Sequence, residues 1–375
     1  MTGAMPTNAV TTNPLRARKL RRLLAACAAI AFCSLAHADN RASVAKARGA
    51  FVDKMVTEHG FDRAALTTML SSATIDQTIL DAIAKPVERV VPWYEYRAIF
   101  VNDARIATGV RFWNEHAATI QSVADRYGVA PEMIVAIVGV ETYFGQRTGK
   151  YRVIDSLSTL AFAYPPRAKF FAGELEQYLL LTRDEGIDPT VPLGSYAGAM
   201  GAGQFIPSSF RTYAVDADND GKRDIWNDWA DVLGSVANYF KKSGWKTGEP
   251  VADPATRPAE WKGPEPSNGL DLADTVGSLA ERGYTFTTKQ ATDAPAAAYA
   301  LEAQGGGSEF WIGYNNFRTI LRYNHSPKYA LAAHQLGQAI RSGYLASRGG
   351  SAASPDAARV AAPSAASDAS RGGRE

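Results

Sequence analysis

Met133-Ile134-Val135-Ala136-Ile137-Val138-Gly139-Val140-Glu141-Thr142-Tyr143-Phe144-Gly145 sets one carboxylate at the end of an unbroken apolar run, followed at once by two aromatics and a glycine. Pro131 stands just ahead of the run. That position suits the first turn of a helix, where the N–H that proline lacks would have no intrahelical partner anyway. On helical geometry Ile134, Ile137, Val138 and Glu141 share a face, so the carboxylate extends an apolar stripe. A charge there costs several kcal/mol unless it is paired or protonated, and the expected response is a raised pKa. A carboxyl that holds its proton near neutrality is what a general acid needs. The same pattern also suits a buried structural ion pair, with Arg167 as a partner, because such pairs perturb pKa values too.

Composition bounds the rest. The chain has 375 residues, of which 46% are hydrophobic and 21% charged, as expected for a globular protein with one large core or two modest ones. A net charge of +2 is too small for an electrostatic nucleic-acid binder. Arg16, Arg18, Lys19, Arg21 and Arg22 precede the apolar stretch Leu23 to Leu35, and Ala36-His37-Ala38 offers small residues for cleavage. This reads as a secretory signal over residues 1–38, giving a periplasmic protein that is soluble after cleavage near Ala38. The alternative is an outer-membrane lipoprotein anchored through Cys27, in the lipobox-like Leu24-Ala25-Ala26-Cys27. The apolar stretch falls short of the roughly 20 residues needed to span a bilayer. Cys27 and Cys33 both lie inside the signal, so the mature chain is expected to use neither disulfides nor thiolates.

From Arg41 to Glu115 apolar residues recur at helical spacing, as in Phe51, Met55 and Val56 and again in Leu66, Met69 and Leu70, which predicts an all-helical N-terminal domain over 39–120. A core over 121–250 follows. After a helix carrying Phe170, Leu175, Leu179 and Leu180, the run Gly194 to Phe205 brings Gly194, Gly198, Gly201 and Gly203 together with Ser195 and Gln204. Glycine lets backbone approach a ligand closely, and Ser195 and Gln204 carry neutral groups that suit sugar hydroxyls or amides. Tight packing through glycine explains the run equally well. A phosphate loop is excluded by the spacing.

Asp216-Ala217-Asp218-Asn219-Asp220-Gly221 has the alternating carboxylates and turn glycine of a calcium loop. The twelfth position falls on Asn227, a poor bidentate ligand, so the closing carboxylate is expected from Asp231, with Asp228 as the other candidate. Such an ion would brace the structure and take no part in the chemistry. The competing reading is an Asp/Asn/Gly turn without an ion. Past Trp245 the prolines Pro250, Pro254, Pro258, Pro264 and Pro266 mark an irregular excursion, and the alternation in Tyr284 to Thr288 predicts a short strand. A small β-rich insertion over 251–312 follows, then helical spacing from Phe317 to Ile340 within 313–346. From Ser347 to the end the chain is too poor in large apolar residues to order itself. His59, His116, His325 and His334 are scattered and read as surface or packing residues.

Several of these motifs together resemble the B-type lytic murein transglycosylases, lysozyme-like enzymes of the bacterial cell wall. The resemblance runs through Val138-Gly139-Val140-Glu141-Thr142, Tyr164-Pro165-Pro166-Arg167, Phe171-Ala172-Gly173-Glu174-Leu175-Glu176, Gly194 to Pro207, the calcium-like loop, Gly234-Ser235-Val236-Ala237-Asn238-Tyr239-Phe240 and Arg322-Tyr323-Asn324-His325-Ser326. It implies a mainly α (α+β) fold: a lysozyme-like helical catalytic core with an EF-hand-like calcium loop, a helical N-terminal domain and the small β-rich insertion. It also implies that Glu141 is the single catalytic acid/base and that Ser195, Gln204, Tyr239, Tyr323, Asn324 and Tyr329 bind the glycan. Asp216, Asp218, Asp220, the main-chain oxygen of Lys222 and Asp231 match calcium ligands. The stretch Asn227 to Asp231 is one residue longer than the family pattern, which leaves the closing ligand open.

The activity so implied is a lyase reaction on peptidoglycan. The β-1,4 bond between N-acetylmuramic acid and N-acetylglucosamine is cut without water, leaving a 1,6-anhydro-muramoyl end, with no catalytic cofactor and structural Ca2+. The expected partners are peptidoglycan glycan strands and complexes of wall synthesis or secretion, for a chain acting as a monomer and binding no nucleic acid. A hydrolytic muramidase would need a second carboxylate, for which Asp155, Glu174, Asp184 and Glu185 are available. A calcium-braced, non-catalytic peptidoglycan-binding protein is the other alternative.

Overall fold

The computed structural model describes residues 41–85 and 91–349. The expected signal sequence, the alternative anchor at Cys27 and residues 350–375 of the expected tail lie outside the described residues. A helix spans 41–59 (α1), followed by α2 (Arg63–Ser72), α3 (Gln77–Ile83), α4 (Trp93–Phe100) and α5 (Asp103–Glu115). Asp62, Asp76 and Asn102 cap α2, α3 and α5, their side chains accepting from the N–H groups of Ala65, Thr78 and Arg105. The chain continues through α6 (Ala117–Tyr127) into α7 (Pro131–Thr142), with Pro131 at the first turn as expected.

Helix α7 is the axis of the molecule. Met133 to Val140 are all buried, so the helix is enclosed on every side, and the single apolar face inferred from sequence was too narrow a description. It packs against α5, α6 and two later helices, α11 (Trp229–Lys242) and α14 (Pro327–Ser347). Glycine makes this approach close enough. A Cβ on Gly139 would lie 2.7 Å from the Phe144 ring, and one on Gly337 of α14 would lie 2.9 Å from the Glu132 carbonyl oxygen.

Between these helices lie β1 (Tyr151–Arg152), α8 (Val153–Ala163), α9 (Ala168–Asp184), β2 (Leu193–Gly194) and α10 (Pro207–Tyr213). Strands β1 and β2 form a short antiparallel pair, Tyr151 opposite Gly194, which carries the glycine-rich run against the start of α8.

Beyond Trp245 the chain builds an antiparallel five-stranded sheet: β3 (Ala252–Thr256), β4 (Asp274–Thr275), β5 (Thr285–Phe286), β6 (Pro295–Glu302) and β7 (Ser308–Gly313), in the order β4-β6-β7-β3-β5, with α12 (Val276–Glu281) beside it. Pro254 is tolerated inside β3 because β5 pairs only with Ala255 and Thr256. Val276, Leu279, Tyr284, Ala296, Ile312 and Tyr314 give the sheet a small core of its own. It is tied to the helices by Trp93, whose backbone N–H donates to Glu302 and whose indole N–H donates to Glu309.

Two helices fill the region where the sequence returns to helical spacing. α13 (Asn315–Tyr323) stops at Asn324, and α14 starts at Pro327 with the Ser326 side chain accepting from the Tyr329 N–H. The break sets Tyr329 in the first turn of α14. That helix runs on through Ser347, where the sequence had suggested a disordered tail would begin. His334 on α14 is buried, and burial pushes its imidazole down to about 4, in keeping with a packing role.

Candidate active site

Glu141 leaves α7 in its final turn, half-buried. The helix ends abruptly behind it, because Tyr143 (φ 53°), Phe144 (φ 59°) and Gly145 (φ 79°) are all left-handed. Each non-glycine residue held there costs on the order of 1–3 kcal/mol, so the surroundings must impose the turn. They do so by several routes. The N–H of Phe144 donates to the Val138 carbonyl at 3.1 Å, the buried Phe144 ring packs 5.4 Å from Phe112, and the Thr142 hydroxyl donates to the Ala202 carbonyl at 2.8 Å while accepting from the Gly145 N–H. Thr142 therefore joins the end of α7 to the glycine-rich run. Sequence reasoning gave it no role, and its only signal was its place beside Glu141.

The Tyr329 hydroxyl donates to Glu141 Oε1 at 2.6 Å. Tyr329 is buried and Tyr323 partly buried, and desolvation followed by the neighbouring Glu141 charge pushes both phenols well above their ordinary range. Tyr329 thus stays a neutral donor at any working pH. The Tyr323 hydroxyl donates to the Gly203 carbonyl at 2.6 Å, and its ring lies 4.6 Å from that of Tyr239 and 6.0 Å from Phe205. Tyr239 donates to the Arg322 carbonyl at 2.6 Å, and burial raises its phenol to about 12. Glu141, Tyr329, Tyr323, Tyr239 and the Gly203-Gln204 backbone form one contiguous cluster.

The other residues singled out from sequence are arranged around it. Gln204, itself left-handed at φ 51°, donates its side-chain amide to the Thr148 and Gly201 carbonyls, which leaves its side-chain oxygen as the acceptor. Ser195 Oγ accepts from the Ala197 and Ala199 N–H groups, so the hydroxyl retains a proton to donate. Asn324 terminates α13, its N–H donating to the Ile320 carbonyl. The glycines serve the protein's own packing. A Cβ on Gly194 would sit 2.3 Å from the Ala199 carbonyl oxygen, on Gly198 2.4 Å from Leu157, and on Gly201 2.3 Å from the Ile225 carbonyl oxygen.

The four carboxylates considered as a second catalytic group are engaged elsewhere. Asp155 accepts from Arg152 at 2.7 Å and from the Thr74 N–H, and Glu174 accepts from the backbone N–H and hydroxyl of Ser208. Asp184 pairs with Arg211, and Glu185 with Arg223. Arg167, considered from sequence as a partner for Glu141, lies over the Phe170 ring at 4.3 Å.

In the acidic loop, carboxylate oxygens of Asp216, Asp218 and Asp231 lie within 4.8 Å of one another. Asp231 is buried, accepts from the N–H groups of Ala217 and Asp224 at 2.7 Å each, and has its pKa raised by burial and by the Asp228 and Asp218 charges. Uncompensated negative charge of this kind fits a bound cation. Asp220 stands apart from the trio, with Oδ1 accepting from the Lys222 N–H at 2.8 Å, and Asp228 is the cap of α11. Gly234 gives the loop its seat, since a Cβ there would lie 2.7 Å from that of Ala217.

Residues 43–338 match the family model described as Transglycosylase SLT domain. The chain belongs to that family. It is 44% identical over 299 residues to membrane-bound lytic murein transglycosylase B of Escherichia coli (strain K12), covering 77% of this chain and 81% of the relative. It superposes with TM-score 0.75 on the soluble lytic transglycosylase SltB1 of Pseudomonas aeruginosa, at 47% identity and covering 80% of this chain and 99% of that one. A further match is the Escherichia coli lytic transglycosylase Slt35 in complex with calcium, with TM-score 0.71, 42% identity, and 80% and 94% coverage. The fold is therefore lysozyme-like and the protein is an enzyme, a lytic murein transglycosylase acting on peptidoglycan. The non-catalytic binding reading is set aside.

A hydrogen bond to a charged group is worth about 1.5–3 kcal/mol, so Tyr329→Phe should lower turnover of purified sacculi by about ten- to a hundredfold. Circular dichroism should match the wild type. Unchanged turnover would remove Tyr329 from the active machinery.

Proposed function

We propose that Glu141 is the single acid/base of a water-free cleavage between N-acetylmuramic acid and N-acetylglucosamine. The observation that carries this reading is the Tyr329 hydrogen bond to Glu141 at the end of the buried run Met133 to Val140, where the carboxyl is held in one orientation. Glu141 first gives its proton to the glycosidic oxygen as that bond breaks. The substrate's own acetamido oxygen supports the positive charge developing at the anomeric carbon. The ionised Glu141, stabilised by the Tyr329 donor, then takes the proton of the muramoyl O6 hydroxyl, which attacks the anomeric carbon and closes the 1,6-anhydro ring. Because the nucleophile belongs to the sugar, the step is intramolecular, and the protein's task is orientation and exclusion of water. The commitment of Asp155, Glu174, Asp184 and Glu185 to other partners supports this over hydrolysis by two carboxylates.

Within this reading the glycan lies along the tyrosine cluster. Ser195 offers a donor, the Gln204 side-chain oxygen an acceptor, and Tyr239, Tyr323 and Asn324 the flanking contacts. The reading extends to a periplasmic enzyme acting on glycan strands, in keeping with the basic and apolar N-terminus. Among the described residues no helix is long and apolar enough to cross a membrane.

Calcium is part of the proposal as a brace. Asp216, Asp218 and Asp231 would hold it, with Asp220 and the Lys222 carbonyl as further oxygen donors, and its contribution is charge neutralisation at the foot of α11. At free Ca2+ about a hundredfold above its Kd, stability should rise by about 2.7 kcal/mol. Calorimetric melting with Ca2+ and with EGTA reads this directly, and Asp218→Asn should shrink the difference. Equal melting temperatures in the two buffers would count against the site. For the reaction, sacculi digested by the wild type should yield anhydro-muropeptides by mass, and Glu141→Gln should yield none while folding normally. Product release by the folded Glu141→Gln variant would sink the assignment.

A further inference from the structure

Away from the active site and the acidic loop, the last turn of α1 meets α9 through a mixed set of ligand-type groups. Carboxylate oxygens of Glu58 and Glu176 and an imidazole nitrogen of His59 all lie within 4.8 Å of one another. His59 Nε2 is 2.8 Å from Glu176 Oε1, and Glu176 is largely buried. A cation already bridges the two carboxylates: the Lys54 ammonium stands 2.5 Å from Glu176 Oε2 and 3.8 Å from Glu58 Oε2. The backbone beneath is held, since Arg183 of α9 donates to the His59 carbonyl at 2.8 Å and Gly60 ends the helix in the left-handed region at φ 67°.

We propose that Glu58, His59 and Glu176 form a Zn2+ site that clasps α1 to α9. The donor set decides the metal: one imidazole and two carboxylates suit a borderline ion such as Zn2+, whereas Ca2+ and Mg2+ prefer oxygen alone. Lys54 is half-exposed on a flexible stem, so its ammonium can swing into water and give up its place to the dication. Binding takes the lone pair of His59 Nε2, so the imidazole carries its single proton on Nδ1 and the metal occupies the place between Nε2 and Glu176. Water completes the coordination. The site would act on the attachment of the N-terminal helices and leave Glu141 untouched.

The test uses the untagged mature enzyme with Ca2+ present, so that the acidic loop is filled, and titrates Zn2+ alone by calorimetry and by melting. The wild type should bind a single Zn2+ and melt higher with it. Lys54→Met, which removes the competing ammonium, should bind several-fold tighter. His59→Gln and Glu176→Gln should lose both the heat and the shift while digesting sacculi as the wild type does, and the exposed Glu58→Gln should weaken binding without disturbing the fold. Asp218→Asn should keep the Zn2+ response. Zn2+ binding that survives undiminished in His59→Gln and Glu176→Gln, that disappears in Asp218→Asn, or that is absent from both wild type and Lys54→Met overturns the proposal.

Discussion

A carboxylate that directly follows the enclosed helical run Met133 to Val140 must be met by a polar partner, and the Tyr329 hydroxyl is one at 2.6 Å. Much of the architecture serves that contact. Gly139 and Gly337 let α7 and α14 approach closely, the Asn324–Ser326 break sets Tyr329 in the first turn of α14, and the left-handed turn at Tyr143 and Phe144 stops α7 directly behind Glu141. Strain at Tyr143, Phe144 and Gln204 is maintained by packing and by hydrogen bonds from Thr142 and Gln204. The result is a carboxyl whose orientation is set in advance, as the proposed acid/base role of Glu141 requires.

The enclosing helices are themselves braced from two directions. On one side the acidic loop sits on α11 through Gly234, and Asp231 reaches from that helix back to the N–H groups of Ala217 and Asp224. On the other, the five-stranded sheet holds α4 through Glu302 and Glu309 on Trp93, while Lys328, next to Tyr329, pairs with Glu302 at 3.0 Å. The sheet is thus mechanically joined to the helix that presents Tyr329.

The sequence was informative where local pattern carries the answer. Pro131 and the run Met133 to Val140 announced α7, and Glu141 stood out as the charge at its end. Asp216 and Asp218 announced their loop, and Asp231, on the first turn of α11, lies buried with a carboxylate oxygen within 4.8 Å of theirs. Long-range contacts left no local trace. Tyr329 and Glu141 are 188 residues apart, and nothing in the composition of α14 points its first-turn phenol at α7. Strand β6, Pro-Ala-Ala-Ala-Tyr-Ala-Leu-Glu, was unreadable because alanine carries no strand signature and owes its place to pairing with β7. The glycines of the run Gly194 to Gly203 could be read equally for a ligand or for packing. The structure fills their Cβ positions with Ala199, Leu157 and Ile225, neighbours that no spacing rule would name.

In the proposed reaction Glu141, oriented by Tyr329, passes a proton twice while the sugar supplies its own nucleophile. Digestion of sacculi in water enriched in heavy oxygen, followed by weighing of the muramoyl ends, distinguishes this from hydrolysis. Anhydro ends of unlabelled mass, with no solvent oxygen at the cleaved anomeric carbon, are expected. Reducing ends that carry the heavy isotope would contradict it, because water would then have done the work assigned to O6.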